Sequence, residues 1–341
     1  MQAGKQREAM PAGHLVGPSH TEVQFLERAL QGAALRTDGR RLRDARKLQV
    51  HFGERLGWCE VHLGDTVVIA SVDASLGPPR EERPYEGTLT VTTDMTPMAG
   101  VEYDANGPGA AGEAREREAL FDRLLERAVR RTEALDRESL CIIAGKCVWN
   151  IVLTVHLLSD DGAPLDAAVF ACMAALRHFR RPDVSVDNGQ AVVHPTDERV
   201  PVPLAFHHTP LCVTYAVFQV RPESDTQRQL LLAQGRTPAR AAGAAMDEDE
   251  DEEKASRPDL DVALALLDPS LLEQTVAHSL VTLVLNAQRE LCVLDKAGGV
   301  ALPYKVLLEL LHDATERAAA LSAQLEKALA DDAQSRVVDV Q

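Results

Sequence analysis

The sequence predicts an α/β protein built of α+β layers, with two successive strand-rich layers each packed against helices. Three features predict it. Alternating or continuously apolar runs bounded by glycine turns recur in both halves of the chain. Other stretches switch to the three-and-four spacing of amphipathic helices, and the two kinds are interspersed along the chain. At 341 residues, 45% apolar and 26% charged, the chain has room for about two domains with real cores. Aromatics make up only 4%, so those cores must be built from Leu, Val, Ile and Ala.

Residues 1–20 carry Gly4, Pro11, Gly13, Gly17 and Pro18 without periodicity and read as a flexible N-terminal arm. From Ser19 or Thr21 to Leu35, the spacing of Val23, Leu26, Ala29, Leu30 and Ala33 predicts a short helix. Leu48–Phe52, Trp58–Leu63 and Thr66–Val72 follow, separated by Gly57 and Gly64-Asp65, as a meander of antiparallel strands. Gly77-Pro78-Pro79 breaks the meander before a β-branched strand, Gly87–Thr93. The period then changes over Glu113–Leu135, where Leu120, Phe121, Leu124, Leu125, Ala128 and Val129 form one helical stripe. Strands resume at Cys141–Ala144 and Cys147–Leu158. The turn Asp160-Asp161-Gly162 then leads into an Ala-rich apolar helix, Asp166–Phe179.

A second block repeats this grammar from Pro203. Its strands are Leu211–Val220, Val262–Leu267, Ser279–Leu285 and Glu290–Leu294, and its helix runs from Pro303 to about Leu329. The expected division is therefore an arm at 1–20, a first domain at 21–202 and a second at 203–335. Within the second domain, about 221–260 is rich in Ala, Gly, Arg and Pro and contains seven consecutive acids, Asp247 to Glu253. Such a stretch reads as a disordered acidic insertion. It is cheap to carry, since each doubling of loop length costs only about 0.6 kcal/mol.

The balance of 36 Lys+Arg against 52 Asp+Glu, a net charge of −16, excludes a uniformly basic nucleic-acid coat but leaves room for a local basic groove. The six cysteines include no C-x-x-C pair and have mostly apolar neighbours, so they are expected as buried free thiols of a reducing compartment. No apolar run approaches the ~20 residues of a membrane helix, and no apolar segment follows the basic N-terminal residues. An intracellular, soluble protein without membrane contact is expected.

Signatures for nucleotide-binding loops, nucleophile elbows and zinc helices are missing from the sequence, and His207-His208 has no nearby ligand partner, so neither a metal nor a cofactor is expected. One constellation stands out. Arg123, Arg127 and Arg130, at i, i+4 and i+7, set three guanidiniums along one helix edge, a ladder suited to successive phosphates of a nucleic-acid strand. Interleaved Asp122, Glu126 and Glu133 make a solvated, ion-paired face the competing reading.

A family resemblance adds to this. Arg36-Thr37-Asp38-Gly39-Arg40, then Glu138-Ser139-Leu140-Cys141, His156 through Gly162, His178 through Val186, Glu198 through Leu204 and His207 through Val213 occur in order. Together they resemble the RNase PH-like ring subunits of the eukaryotic RNA exosome, over about residues 21 to 330 apart from the insertion. The resemblance implies an RNase PH-like fold and a six-membered ring with other RNase PH-like subunits. It also implies RNA-binding cap subunits, RNA threading the ring toward an associated catalytic ribonuclease, and residence in nucleus, nucleolus and cytoplasm. Active members carry a G-T-R phosphate-binding turn after a D-G pair, with acids on the preceding strand. Here the turn reads Asp161-Gly162-Ala163-Pro164-Leu165, and Val152–Leu158 offers no carboxylate. Phosphorolysis needs inorganic phosphate held as nucleophile, and a leucine cannot hold it. The expectation is a non-catalytic structural subunit with no catalytic residues, whose Arg123 and Arg127 match an RNA-contacting pair on the silent archaeal ring subunit. The rival readings are an active phosphate-dependent 3′→5′ exoribonuclease and a free-standing RNA-binding protein.

Overall fold

The computed structural model describes residues 18–33, 35–104, 110–187, 190–195, 198–220, 262–296, 298–299 and 301–338. The expected arm up to residue 17 and the expected insertion at 221–260 lie outside the described residues.

The first sheet contains β1 (Leu48–Phe52), β2 (Trp58–Leu63), β3 (Thr66–Gly77), β4 (Thr88–Met95), β5 (Cys141–Ile143) and β6 (Cys147–Ser159). The meander β1-β2-β3 is antiparallel, as expected, and β6 continues it beside β3. Beyond β6 lies β4, which pairs parallel to it, so the chain crosses over between β3 and β4 rather than turning straight back. Turn geometry fixes the meander, whereas a parallel neighbour is set by non-local packing and leaves no local signal.

The second sheet has the order β12-β11-β13-β14, from β11 (Leu211–Val220), β12 (Val262–Leu267), β13 (Ser279–Leu285) and β14 (Leu291–Asp295), and is wholly antiparallel. Between the two sheets lies a helical layer: α2 (Ala110–Val129), α3 (Pro164–His178) and the long α5 (Tyr304–Val338). Almost every residue of α3 is buried, because it packs against β2 and β3 on one side and β11 on the other. One hydrophobic core therefore runs from Val61, Val68 and Leu153 through Phe170 and Met173 to Tyr215, Leu283 and Leu310. The result is a layered α/β architecture in which both sheets share the middle helical layer. Short ribbons, β7 (Arg180–Arg181) with β10 (Val202–Pro203) and β8 (Val184–Asp187) with β9 (Gln190–Val193), connect the halves.

The N-terminal helix corrects the chain-order division. Assigned by sequence to the first layer, α1 (His20–Ala33) instead packs on the second sheet. Leu26, Leu30 and Leu42 cluster there with Ala216, Phe218, Val220, Leu264 and Leu266. The physical reason is that β11 is apolar on both faces, so its outer face needs a cover. The outer strand β1 alternates partly exposed and exposed positions and needs none.

Two helix ends also differ from expectation. Helix α2 stops at Val129, where Thr132 donates its hydroxyl back to the Ala128 carbonyl at 2.9 Å and Glu133 takes φ 56°. Helix α5 runs on to Val338, its end tied down by Arg336, which pairs with Asp332 at 2.7 Å and donates to the Glu54 carbonyl at 2.9 Å. All six cysteines are free. Cys59, Cys172 and Cys212 are buried, and burial pushes the Cys59 thiol up to about 12. Cys141, Cys147 and Cys292 are only partly buried, a departure from the uniform burial expected. No helix among the described residues is long and apolar enough to cross a membrane.

Candidate functional site

The turn before α3 is built from Asp160 to Leu165. Asp160 accepts the Gly162 amide at 2.9 Å, Gly162 takes φ 96° and Ala163 φ 49°, and Pro164 opens the helix with no N–H to offer. Leu165 does not face an open pocket. It is 8% exposed and belongs to the core. Asp166 in the first helical turn accepts the Thr214 amide at 2.8 Å and the Thr214 hydroxyl at 2.7 Å, and its burial raises its pKa.

The space in front of this turn is filled by the second domain. The Leu271 amide donates to the Asp161 carbonyl at 3.1 Å, and the Gln274 side chain accepts the Ala163 amide at 3.0 Å. A Cβ at Gly162 would lie 2.4 Å from the Pro269 carbonyl oxygen and 2.6 Å from the Leu271 nitrogen. Backbone therefore sits against the turn where an anion would need room.

The nearest guanidinium is fully occupied. Arg46 donates to both oxygens of Asp268, at 2.7 Å and 3.0 Å, to Asp161 at 3.2 Å and to the Gly162 carbonyl at 2.7 Å. Burial pulls the Arg46 pKa down, but the Asp268 hydrogen bonds and charge outweigh it and hold it above its ordinary value. Beside it, Arg36 makes a bidentate pair with Glu273, at 2.9 and 2.6 Å, both side chains having no solvent exposure. Glu273 itself closes a capping box with Ser270 at the start of the short helix α4 (Leu271–Val276). Arg40 reaches Asp268 at 3.0 Å. The Arg36–Arg46 segment is thus a clasp between the first turn of the chain and β12-α4. Arg36 and Arg40 stand in the sequence as part of the family resemblance with no sign of this role, although Ser270-x-x-Glu273 is a legible capping signal.

Arg123 and Arg127 of α2 lie elsewhere, and Arg130 falls one residue past the helix end, so the expected ladder keeps only two of its three rungs on the helix and the three are not gathered into one cluster. Arg123 is exposed and makes no ion pair among the described residues. Arg127 contacts Asp295 of β14 at 3.2 Å, and Arg130 pairs with Glu126. The interleaved acids do not silence the row as a whole, since Asp122 is bonded by Thr93 at 3.3 Å and Glu133 pairs with Arg137. Arg130 also lines a cleft shared with Arg80, Arg83, Arg131 and Arg137. His207 stands 3.9 Å from Asp136, and no group of metal-ligating side chains occurs among the described residues.

With this geometry in view, the models of the 3′ exoribonuclease (RNase PH) family match residues 44–182 as its domain 1 and 261–317 as its domain 2. The chain belongs to the RNase PH family. Within it, the chain is similar to exosome complex component rrp45 of Schizosaccharomyces pombe, 34% identical over 87% of this chain and 86% of that one. It is similar also to exosome complex component RRP45 of Saccharomyces cerevisiae, 33% identical over 93% of both. Among solved structures, a chain of the Archaeoglobus fulgidus exosome with RNA bound to the active site shares the fold. Its TM-score is 0.64 at 22% identity, covering 89% of this chain and 97% of that one. A chain of an archaeal exosome core gives 0.61 at 22% identity, over 90% of this chain and 96% of that one.

Proposed function

We propose that this chain is a non-catalytic structural subunit of an RNA exosome ring, supporting 3′→5′ RNA processing and degradation and helping to guide RNA through the channel. The family and the names of its relatives support the ring. The observation that carries the non-catalytic part is the α3 turn: Leu165 stands in the core, Arg46 is taken up by Asp268 and Asp161, and the Pro269–Leu271 backbone fills the approach. Inorganic phosphate as attacking group needs a charged, accessible cradle. None is left at this turn, which weighs against the rival reading of a phosphate-dependent exoribonuclease. The partners in this reading are other RNase PH-like ring subunits, RNA-binding cap subunits, RNA and an associated catalytic ribonuclease, in nucleus, nucleolus and cytoplasm.

RNA contact falls to Arg123, Arg127 and Arg130. Arg123 carries the weight because it has no competing carboxylate among the described residues, whereas Arg127 must share its charge with Asp295. Native mass spectrometry of the complex purified with this chain tests the ring: RNase PH-like partners in defined stoichiometry support it. A lone monomer with full RNA affinity would favour a free-standing RNA-binding protein instead. Arg123→Glu with Arg127→Glu is expected to weaken RNA protection by the assembled ring by about tenfold or more without dispersing it, and unchanged protection removes these residues from the RNA path.

A further inference from the structure

A second basic site lies at the other end of the middle layer. Arg177 and Arg180, where α3 ends, meet the loop 203–209, the β13–β14 turn and α5 around a cleft of ≈ 470 Å³. That volume is in the range of small-molecule sites, roughly 300–1,000 Å³. Of the side chains lining it, the carboxylate is that of Glu326, on α5.

The cations here are poorly compensated. Arg180 donates from Nη1 to the carbonyls of Arg177, at 2.7 Å, and Phe179, at 2.9 Å, so it caps the end of α3. Among the described residues, its Nε and Nη2 make no hydrogen bond and no carboxylate lies within ion-pair distance. Carbonyl oxygens carry only partial charge. Burial accordingly pulls the Arg180 pKa down, with no carboxylate to offset it. Arg177 reaches Glu326 only at 3.9 Å, and that carboxylate is 64% exposed. A half-buried guanidinium without a full counter-charge is costly unless an anion arrives from outside.

The rest of the lining is suited to more than a bare anion. His208 is partly buried, burial lowers its pKa, and its Nε2 has no hydrogen-bond partner. The Thr209 hydroxyl and the Gln288 amide add neutral donors and acceptors, and Phe206 adds an aromatic face. Guanidiniums match phosphate oxygens bidentately, and an aromatic ring with amide and hydroxyl groups matches a nucleobase.

We propose that this cleft binds one nucleotide unit, with its phosphate between Arg177 and Arg180 and its base against Phe206 near Gln288, Thr209 and His208. The unit is either a free nucleoside monophosphate or one residue of an RNA strand, and both share this chemistry. The site does not depend on the ring reading. It is distinct from the Arg123 edge, although the two are connected. The Asp136 amide donates to the Ala205 carbonyl at 3.0 Å and the His207 amide to the Ala134 carbonyl at 2.9 Å, so the cleft loop is stitched to the segment following α2.

Isothermal titration of the full chain with uridine 5′-monophosphate, inorganic phosphate and a short oligouridylate tests the proposal. Saturable binding of the monophosphate is expected, tighter than inorganic phosphate. Arg177→Glu and Gln288→Glu are each expected to weaken it by at least about tenfold. Gln288 lies in an exposed turn, so its variant separates lost binding from lost folding. Displacement of the monophosphate by the oligouridylate identifies an RNA residue as occupant, and failure to displace identifies a free nucleotide; either supports the site. No saturable binding, equal affinity for inorganic phosphate, or unchanged affinity in both folded variants would overturn it.

Discussion

Glu273 does several jobs with one carboxylate. It neutralises Arg36, accepts the Ser270 amide at 2.9 Å to start α4, and does so with no exposure to water. Glu273→Gln keeps the size and leaves the Arg36 guanidinium buried without a counter-charge. Such a loss costs about 3–5 kcal/mol, against about 0–1 for an exposed pair such as Arg55–Asp73. Urea unfolding monitored by circular dichroism is expected to show that difference between Glu273→Gln and Asp73→Asn; equal midpoints would mean the clasp contributes nothing special. At this scale the sequence is only partly readable. That position 165 is an uncharged leucine is visible from residue identity alone. The saturation of Arg46 by Asp268 is not, because the two residues lie 222 positions apart and meet only through the fold.

At the scale of elements, α3 and its preceding turn hold the two sheets together. The helix is buried nearly all round because it serves both sheets, and its Ala-rich sequence lets β3 and β11 approach it closely. Gly162→Ala tests how tightly the turn is pressed against the second domain. The substitution strains a residue at φ 96° and drives a methyl group into backbone at 2.4–2.6 Å. A loss of at least about 2 kcal/mol is expected in thermal or denaturant unfolding, and a neutral result would show that the approach to the turn is open enough to admit an anion. Elements such as β1, β2, β11 and β13 were legible in the sequence because glycine turns and a period of two or a continuous apolar run mark them locally. The parallel placement of β4, the seat of α1 on the second sheet and the short helix α4 were not. Each depends on which distant face remains uncovered, and α4 is too short to show a helical period.

For the whole molecule, one core joins both sheets, and the clasp of Arg36, Arg40 and Arg46 fixes the second domain against the α3 turn. The same packing presses the Pro269–Leu271 backbone against the α3 turn. In the proposed reading, a structural role and the absence of phosphorolysis share that one physical cause, and the Arg123 edge is left for RNA. The most direct test is to incubate the purified full chain with single-stranded RNA and inorganic phosphate and to follow nucleoside diphosphates by chromatography. None is expected above the protein-free control, and phosphate-dependent release of nucleoside diphosphates by this chain alone would contradict a non-catalytic role.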